Sequence, residues 1–200
     1  ARLCQSEVTD LDQAAFGKVA RAILRDLDLL KDLHRDAQVH VVVSIAFSDE
    51  DMARKMDAGA PAIRRRFQTV KALAEAGLFV TVSLAPVIVG LNDEQAPEIL
   101  KRARDAGARH AFYSPLRLTG SGEKVFLERL RADFPLAAAK VEGFLADQHA
   151  GRGVRGGLIA SQFRIWQRRL ELDQAHPSPF PGERKSTFRR PGPCQATFAF

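Results

Sequence analysis

The chain has 200 residues, of which 46% are hydrophobic and 27% charged, and this composition is typical of a globular domain. No apolar run approaches the roughly 18 residues that a membrane-spanning helix needs, and no charged-then-apolar signal segment opens the sequence. These features argue against an integral membrane protein. They predict one domain followed by a tail, and they predict that the protein is cytoplasmic.

The formal net charge of +6 is concentrated near the C-terminus. Before Gly151 there are 21 Lys and Arg against 21 Asp and Glu, whereas from Gly151 onward there are nine against three. A basic extension attracts nucleic acid without sequence preference, so nucleic acid is one predicted partner of this tail. A solvated tail without any partner is the alternative interpretation.

The two cysteines, Cys4 and Cys194, lie near opposite ends of the chain and form no paired metal motif or disulfide framework, which favours free thiols. The histidines share no ligand spacing, so we expect no metal site. The chain begins at Ala1 rather than Met, which indicates a processed N-terminus or the edge of a fragment.

An amphipathic helix is predicted over Phe16–His34, and the first strand follows it at Val39–Phe47. This strand is nearly all apolar, as expected when helices cover both faces of a sheet. The run Ser48 to Glu50 then provides an N-cap and an acidic first turn for a short helix near Asp49–Met56.

The second block contains a helix over Ala62–Ala76, closed by Gly77, and a strand at Leu78–Ala85. A turn from Ala85 to Asp93 follows, made rigid by its proline and glycine. We expect Asn92 or Asp93 to cap the next helix, which runs to about Ala106.

The third block has a strand at Arg109–Ser114 and helices at Glu123–Ala132 and Leu136–Gln148. The glycine-rich cluster Gly151–Gly157 is interpreted as a flexible linker, although a contact to phosphate or RNA is the alternative. A weak helix is predicted over Leu158–Leu172, and beyond it the proline-rich sequence predicts irregular structure.

Repeated strand–helix units predict a parallel sheet with strands Val41–Ile45, Val80–Leu84 and Arg109–Tyr113 side by side in that order. The carboxyl ends of such strands share one edge, where α/β barrels build their sites. Ser44, Pro86 and Arg117 should therefore share that rim. Two alternatives stay open: the Ser44 hydroxyl could instead cap the following helix, and the turn after the second strand could be a packed loop rather than a surface for a flat heterocycle.

The segment from Val41 through Leu118 resembles the C-terminal part of radical S-adenosylmethionine (SAM) proteins of the spore photoproduct lyase-like group, also labelled DNA repair photolyase-like. Three motifs carry the resemblance, in the order and spacing of that family: Arg25-Asp26-Leu27-Asp28-Leu29-Leu30, Val43-Ser44-Ile45 before a short acidic helix, and Ala85-Pro86-Val87-Ile88-Val89-Gly90-Leu91-Asn92-Asp93.

This resemblance implies that residues 1–150 are the C-terminal half of a partial, TIM-like (β/α) barrel, with residues 151–200 as a basic tail. It also implies SAM-dependent radical chemistry, with SAM and a [4Fe-4S] cluster as the cofactors of the complete protein. In that picture Ser44 is a polar SAM contact, and Pro86, Val87 and Gly90 form part of the wall beside the adenine. Arg117 matches a family arginine that contacts a carboxylate or phosphate, and a solvated surface arginine is the alternative.

The sequence departs from the family where the cluster is held. The family uses three cysteines in a Cys-x3-Cys-x2-Cys loop, whereas this sequence has two cysteines in total. We therefore expect this chain alone to be inactive and to bind neither cofactor stably, the missing N-terminal half being supplied in cis or in trans. Two smaller departures are Lys18-Val19-Ala20 in place of Thr-Lys-Ser and Asp57-Ala58 in place of Glu-Pro. The alternative function is a non-catalytic remnant that binds nucleic acid or a protein through the basic tail.

Overall fold

The structure is a computed structural model that describes residues 23–36, 39–57, 59, 61–118, 120–150 and 154–174. Strands and helices are interspersed up to Pro115, and helices alone follow. In chain order the elements are α1 (Leu27–Asp36), β1 (His40–Ser44), α2 (Glu50–Met56), α3 (Ile63–Glu75), β2 (Phe79–Val87), a 3-10 turn (Asp93–Gln95), α4 (Ala96–Asp105), β3 (His110–Pro115), α5 (Ser121–Asp133), α6 (Pro135–His149) and α7 (Val154–Arg169).

The three strands form one parallel sheet in the order β1-β2-β3, which confirms the predicted order and direction. Val43 of β1 lies opposite Val82 of β2, and Val82 lies opposite Ala111 of β3. Because all three strands run in the same direction, their carboxyl ends meet at one edge. The sheet is open and does not close into a barrel within the described residues.

Successive side chains of a strand alternate between the two faces of the sheet, and here the faces differ in character. One face is apolar and packs beneath the helices, with Ile45, Val80 and Val82 fully buried. The opposite face carries Val42 and Phe112, which are 45% and 41% exposed. The prediction that helices cover both faces is therefore wrong within the described residues, because helices pack on one face and Val42 and Phe112 stay partly exposed on the other.

The two edges of the sheet also differ. At the β3 edge, the Ala111 amide donates a 2.9 Å hydrogen bond to the Leu172 carbonyl, and the Gln167 side chain donates a 2.8 Å bond to the Ala111 carbonyl. The segment after α7 thus covers β3. At the other edge, no strand within the described residues pairs with the far side of β1.

The helix predicted at Leu158–Leu172 forms as α7, but it begins earlier, at Val154, and ends at Arg169. Phe163 and Leu172 are buried and belong to the same core as the sheet. Within the predicted linker Gly151–Gly157, residues 154–157 are helical, which corrects that part of the interpretation, and residues 151–153 lie outside the described residues. Tertiary packing outweighs the low helix propensity of glycine here.

The other predicted helices are present within the described residues, although two of the predicted caps are wrong. Asp49 caps α2, its carboxylate accepting a 2.7 Å hydrogen bond from the Met52 amide, so the suggestion that Ser44 caps this helix is wrong. The helix predicted over Phe16–His34 is present as α1 in its C-terminal part, and residues before 23 lie outside the described residues, as does the proline-rich segment after 174.

Among the described helices, none is long and apolar enough to cross a membrane.

Candidate functional site

A cavity of about 380 Å³ lies at the carboxyl edge of β1 and β2. Its walls come from the loops after both strands, from α2 and α3, and from one side chain of α5. Four lining residues carry charge: Glu50, Arg54, Asp57 and Arg66. Apolar residues form most of the remaining wall: Ile45, Ala46, Phe47, Ala53, Met56, Ile63, Ala85, Pro86, Ile88, Leu116 and Phe126.

Arg66 of α3 is the half-buried cation of this cavity. Its Nη1 donates a 2.6 Å hydrogen bond to the Ser44 carbonyl, and its Nε donates a 3.2 Å bond to the Pro61 carbonyl. Burial lowers the pKa of this guanidinium, while the nearby carboxylates of Asp57 and Glu50 act in the opposite direction. Arginine stays protonated in proteins, so Arg66 is a positive charge fixed at the end of β1.

Two bonds leave three of the five N–H groups of the Arg66 guanidinium without a hydrogen-bond acceptor among the described residues. No carboxylate in this part of the chain lies within ion-pair distance of it. The guanidinium is therefore positioned by backbone carbonyls and keeps free donors, which is an arrangement suited to a carboxylate or phosphate ligand.

Glu50 lines the same cavity but has a structural role. Its two carboxylate oxygens accept 3.1 Å hydrogen bonds from the amides of Ile63 and Arg64, the first two residues of α3. The N-cap residue Ala62 has no side chain that could do this. Glu50 thus caps α3 from the start of α2, which stabilises the helix that carries Arg66.

Asn92 holds the two loops of the cavity together and is only 2% exposed. Its Oδ1 accepts a 2.6 Å hydrogen bond from the Ile88 amide, and its Nδ2 donates to the carbonyls of Ala46 at 2.8 Å and Pro86 at 3.0 Å. The prediction that Asn92 or Asp93 caps the following helix is wrong, because Asp93 also turns back and accepts a 2.7 Å bond from the Gly90 amide. Asp93 thus bonds to the backbone of its own loop, and Asn92 bonds to the backbone of both loops.

Of the residues predicted for the adenine-side wall, Pro86 alone lines the cavity. It follows a cis Ala85–Pro86 peptide bond and is exposed, in a β2 segment where the ladder to β3 is interrupted. Val87 is buried and faces a second, smaller cavity. Gly90 adopts φ +90°, and a Cβ at that position would lie 2.8 Å from the Cβ of Lys140 in α6, so this turn packs closely against the helix.

Ser44 and Arg117 both lie at the carboxyl edge of the sheet, as predicted, but neither lines the cavity. Ser44 is the last residue of β1, and it contributes its carbonyl to Arg66. Arg117 follows β3 and is exposed, with no hydrogen bond or ion pair to another described residue. The predicted rim therefore exists, and of its three residues Pro86 is the one in contact with the cavity.

Sequence reasoning missed Arg66, and it named Glu50 and Asn92 for other roles, as part of the acidic first turn of α2 and as a candidate helix cap. A signal for Arg66 is present, because it stands three residues after Ile63 and four before Val70, on the apolar face of α3. Its neighbours Arg64 and Arg65 fall on the exposed side of the same helix. The helical periodicity of α3 therefore distinguishes the half-buried Arg66 from its two exposed neighbours.

Comparison with known proteins gives partial similarity to uncharacterized mycobacterial proteins. The chain is 32% identical over 105 residues to the uncharacterized protein Rv2578c of Mycobacterium tuberculosis, and the same figures hold for the uncharacterized protein Mb2609c of Mycobacterium bovis. The match covers 52% of this chain and 31% of each relative, so the chain spans about a third of their length. No protein-family model matches the chain, and no solved structure matches it significantly.

Proposed function

We propose that this chain is the C-terminal half of a radical SAM protein of the spore photoproduct lyase-like group, and that the cavity at the ends of β1 and β2 is its SAM site. One observation carries the proposal. A half-buried guanidinium with free donors, that of Arg66, stands beside an apolar wall at the carboxyl edge of a parallel sheet. Ligands of open α/β sheets bind at this edge.

The chemistry of the lining residues fits SAM. The Arg66 guanidinium would hold the carboxylate of the methionine moiety, and the Asp57 carboxylate in the same cavity would attract its ammonium group. Pro86, Ile88 and Leu116 offer an apolar surface for the adenine. The cavity volume of about 380 Å³ falls within the range of small-molecule sites, and SAM, once bound, would supply the adenosyl group for radical chemistry.

The other predicted contacts take more modest roles in this proposal. Ser44 positions Arg66 through its carbonyl and does not itself line the cavity. Val87 and Gly90 shape the loop that carries Pro86. Arg117, on the same edge, remains a candidate contact for a substrate carboxylate or phosphate.

The residues of this chain do not fit the [4Fe-4S] cluster. Cluster binding requires cysteine thiolates, and the sequence has only Cys4 and Cys194, both outside the described residues. We therefore derive no chemical step for this chain alone. In the proposal, cysteines from a further segment of the protein, joined in cis or in trans, hold the cluster.

The sheet supports such a joining segment. Val42, on edge strand β1, is 45% exposed on the face that would become the interior of a partial barrel, and Phe112 of β3 is 41% exposed on the same face. Further parallel strands added at β1 would extend the sheet, and closure of the extended sheet toward a partial barrel would enclose both side chains. The opposite edge is already covered by the segment around Leu172, so growth is directed to β1.

The experiment that tests this proposal begins with the gene. We expect the reading frame upstream of Ala1 to encode a Cys-x3-Cys-x2-Cys loop, and we expect the longer product to bind about four irons and four sulfides after anaerobic reconstitution. Variants with serine at each of the three cysteines serve as controls and should lose the iron. An upstream frame without the loop, or a longer product without iron, would reject the proposal.

A second candidate function is nucleic-acid binding through the basic C-terminal segment, which the nine-to-three excess of Lys and Arg from Gly151 onward favours. Since Leu172 belongs to the core, the matched truncation ends at Gln174 rather than at Gly151. Binding to a DNA duplex should weaken steeply as salt rises, and it should weaken on this truncation, which removes four of the nine basic residues and one of the three acidic ones. Affinity that survives the truncation would refute a role for the segment beyond residue 174.

A further inference from the structure

A second cavity, of about 280 Å³, lies outside the sheet between the start of α4 and α7. Three aromatic side chains line it: Tyr113 of β3 and Phe163 and Trp166 of α7. Two carboxylates, Asp93 and Glu94, line it from the 3-10 turn before α4. We call this site the aromatic cleft. Val87 of β2 also lines it, and it shares no lining residue with the first cavity.

The aromatic wall of the cleft is firmly held. The rings of Tyr113 and Phe163 lie 4.9 Å apart between centres, and Phe163 is only 6% exposed. Trp166 is half-buried, and the guanidinium of Arg169 lies 5.4 Å from its ring centre, although Arg169 does not line the cleft. The Trp166 ring thus already lies close to one cation, and aromatic rings of this kind attract cations to their faces.

The two carboxylates have different environments. Asp93 accepts the Gly90 amide and is half-buried, so its position is fixed by the loop. Glu94 is exposed and makes no hydrogen bond or ion pair with another described residue. The cleft thus combines one fixed and one available negative charge with three aromatic rings, while Arg169 stands outside it.

We propose that the aromatic cleft binds a small organic ammonium cation. Aromatic faces attract ammonium groups through the ring quadrupole, most strongly with quaternary ammonium ions, and carboxylates at the rim add attraction for positive charge. The volume lies at the lower end of the range for small-molecule sites, which suits a compact head group better than a nucleoside. The same two carboxylates disfavour anionic ligands.

This cleft and the proposed SAM site stand on different residues, so either proposal can fail without the other. The sequence has one tryptophan, and it lines the cleft, which makes the intrinsic fluorescence of the chain a direct reporter. We would titrate the full chain with choline at constant ionic strength. Its uncharged carbon analogue, 3,3-dimethylbutan-1-ol, serves as the matched ligand without charge.

We expect a saturable change in Trp166 fluorescence with choline and a much smaller one with the uncharged analogue. Glu94→Gln should weaken choline binding about threefold, because it removes one partly solvated charge pair. Glu98→Gln is the matched control, because Glu98 lies in α4 four residues after Glu94, pairs with Arg102 and does not line the cleft. It should leave the affinity unchanged.

The N-acetyl methylamide of trimethyllysine distinguishes the two sources of this chemistry, a free ligand and a modified side chain. Tighter binding of this compound than of choline would assign the cleft to a protein side chain, and the reverse order would assign it to a free ammonium compound. Equal responses to choline and to its uncharged analogue, or an affinity that Glu94→Gln leaves unchanged, would overturn the proposal.

Discussion

The side-chain amide of Asn92 joins two loops that are 46 positions apart in sequence, donating a 2.8 Å hydrogen bond to the carbonyl of Ala46. Because Asn92 is buried, replacing it with leucine would leave the Ala46 and Pro86 carbonyls and the Ile88 amide without its three hydrogen bonds. We expect Asn92→Leu to lower the free energy of unfolding by about 3 kcal/mol. Urea denaturation measures this change.

The neighbouring substitution Glu94→Gln is the control for Asn92→Leu, because Glu94 is exposed and should change stability by less than about 0.5 kcal/mol. A similar loss for both variants, or a stable Asn92→Leu protein, would contradict the role of Asn92 in joining the loops.

Gly90 and Gly77 form a matched pair that separates backbone strain from crowding. Both have positive φ, +90° and +85°, but a Cβ at Gly90 would meet Lys140 at 2.8 Å, whereas at Gly77 nothing lies within 4 Å. Gly77→Ala should destabilise by about 1 kcal/mol through backbone strain alone. Gly90→Ala should lower the free energy of unfolding by roughly a further 1 to 3 kcal/mol, since α6 must shift. Equal losses in thermal unfolding would show that the turn does not pack against α6.

The strands were predictable because their residues have strong β-strand preferences. Runs such as Val41–Val43 and Val80–Val82 are apolar and β-branched, which indicates parallel strands covered by helices. Helical connections between successive strands then fix the order and direction of the sheet. The end of the helix before Gly77 was equally predictable, because glycine readily adopts the positive φ found at helix C-termini.

The site was less predictable, for physical reasons that differ between residues. Asn92 is a residue type that often caps helices, so the local sequence predicts a cap. Its actual hydrogen-bond acceptor, the Ala46 carbonyl, is too distant in sequence to be found from the local pattern. Arg66 stands in a run of three arginines that differ only in which face of α3 they occupy. The glycines at the start of α7 resemble a linker, and the helix forms because Phe163 and Leu172 reach the core.

The edge of β1 should make the chain self-associate. An unpaired strand edge beside an exposed apolar side chain, here Val42, is a template for pairing with another chain. We expect sedimentation velocity to show a sedimentation coefficient that rises with concentration. Val42→Lys should suppress this rise, because a charge on an edge strand opposes pairing.

Val125→Lys is the control for Val42→Lys, since Val125 is 57% exposed on helix α5 rather than on the edge strand. It should leave the self-association unchanged. A compact monomer at all concentrations would contradict the prediction that additional strands are needed at this edge.

This chain alone should not assemble an iron-sulfur cluster. A cluster that binds SAM is held by three thiolates, and the sequence offers two cysteines. After anaerobic reconstitution and desalting, we expect iron and sulfide near zero and no absorbance from sulfur-to-iron charge transfer. Stable retention of about four irons per chain would show that the ligand argument is wrong.

The most direct measurement of the central claim is the binding of S-adenosylhomocysteine, a stable SAM analogue, followed by backbone amide shifts in ¹H–¹⁵N NMR spectra, which also detect weak binding. We predict shifts at Ala46, Ala53 and Ile88, which line the cavity, and an affinity about tenfold lower in Arg66→Gln, as for the loss of a charge-assisted hydrogen bond. Arg64→Gln, which alters an exposed arginine of the same helix, should bind as the unaltered chain does. Shifts confined to residues away from the cavity, or an affinity that is independent of Arg66, would contradict the account.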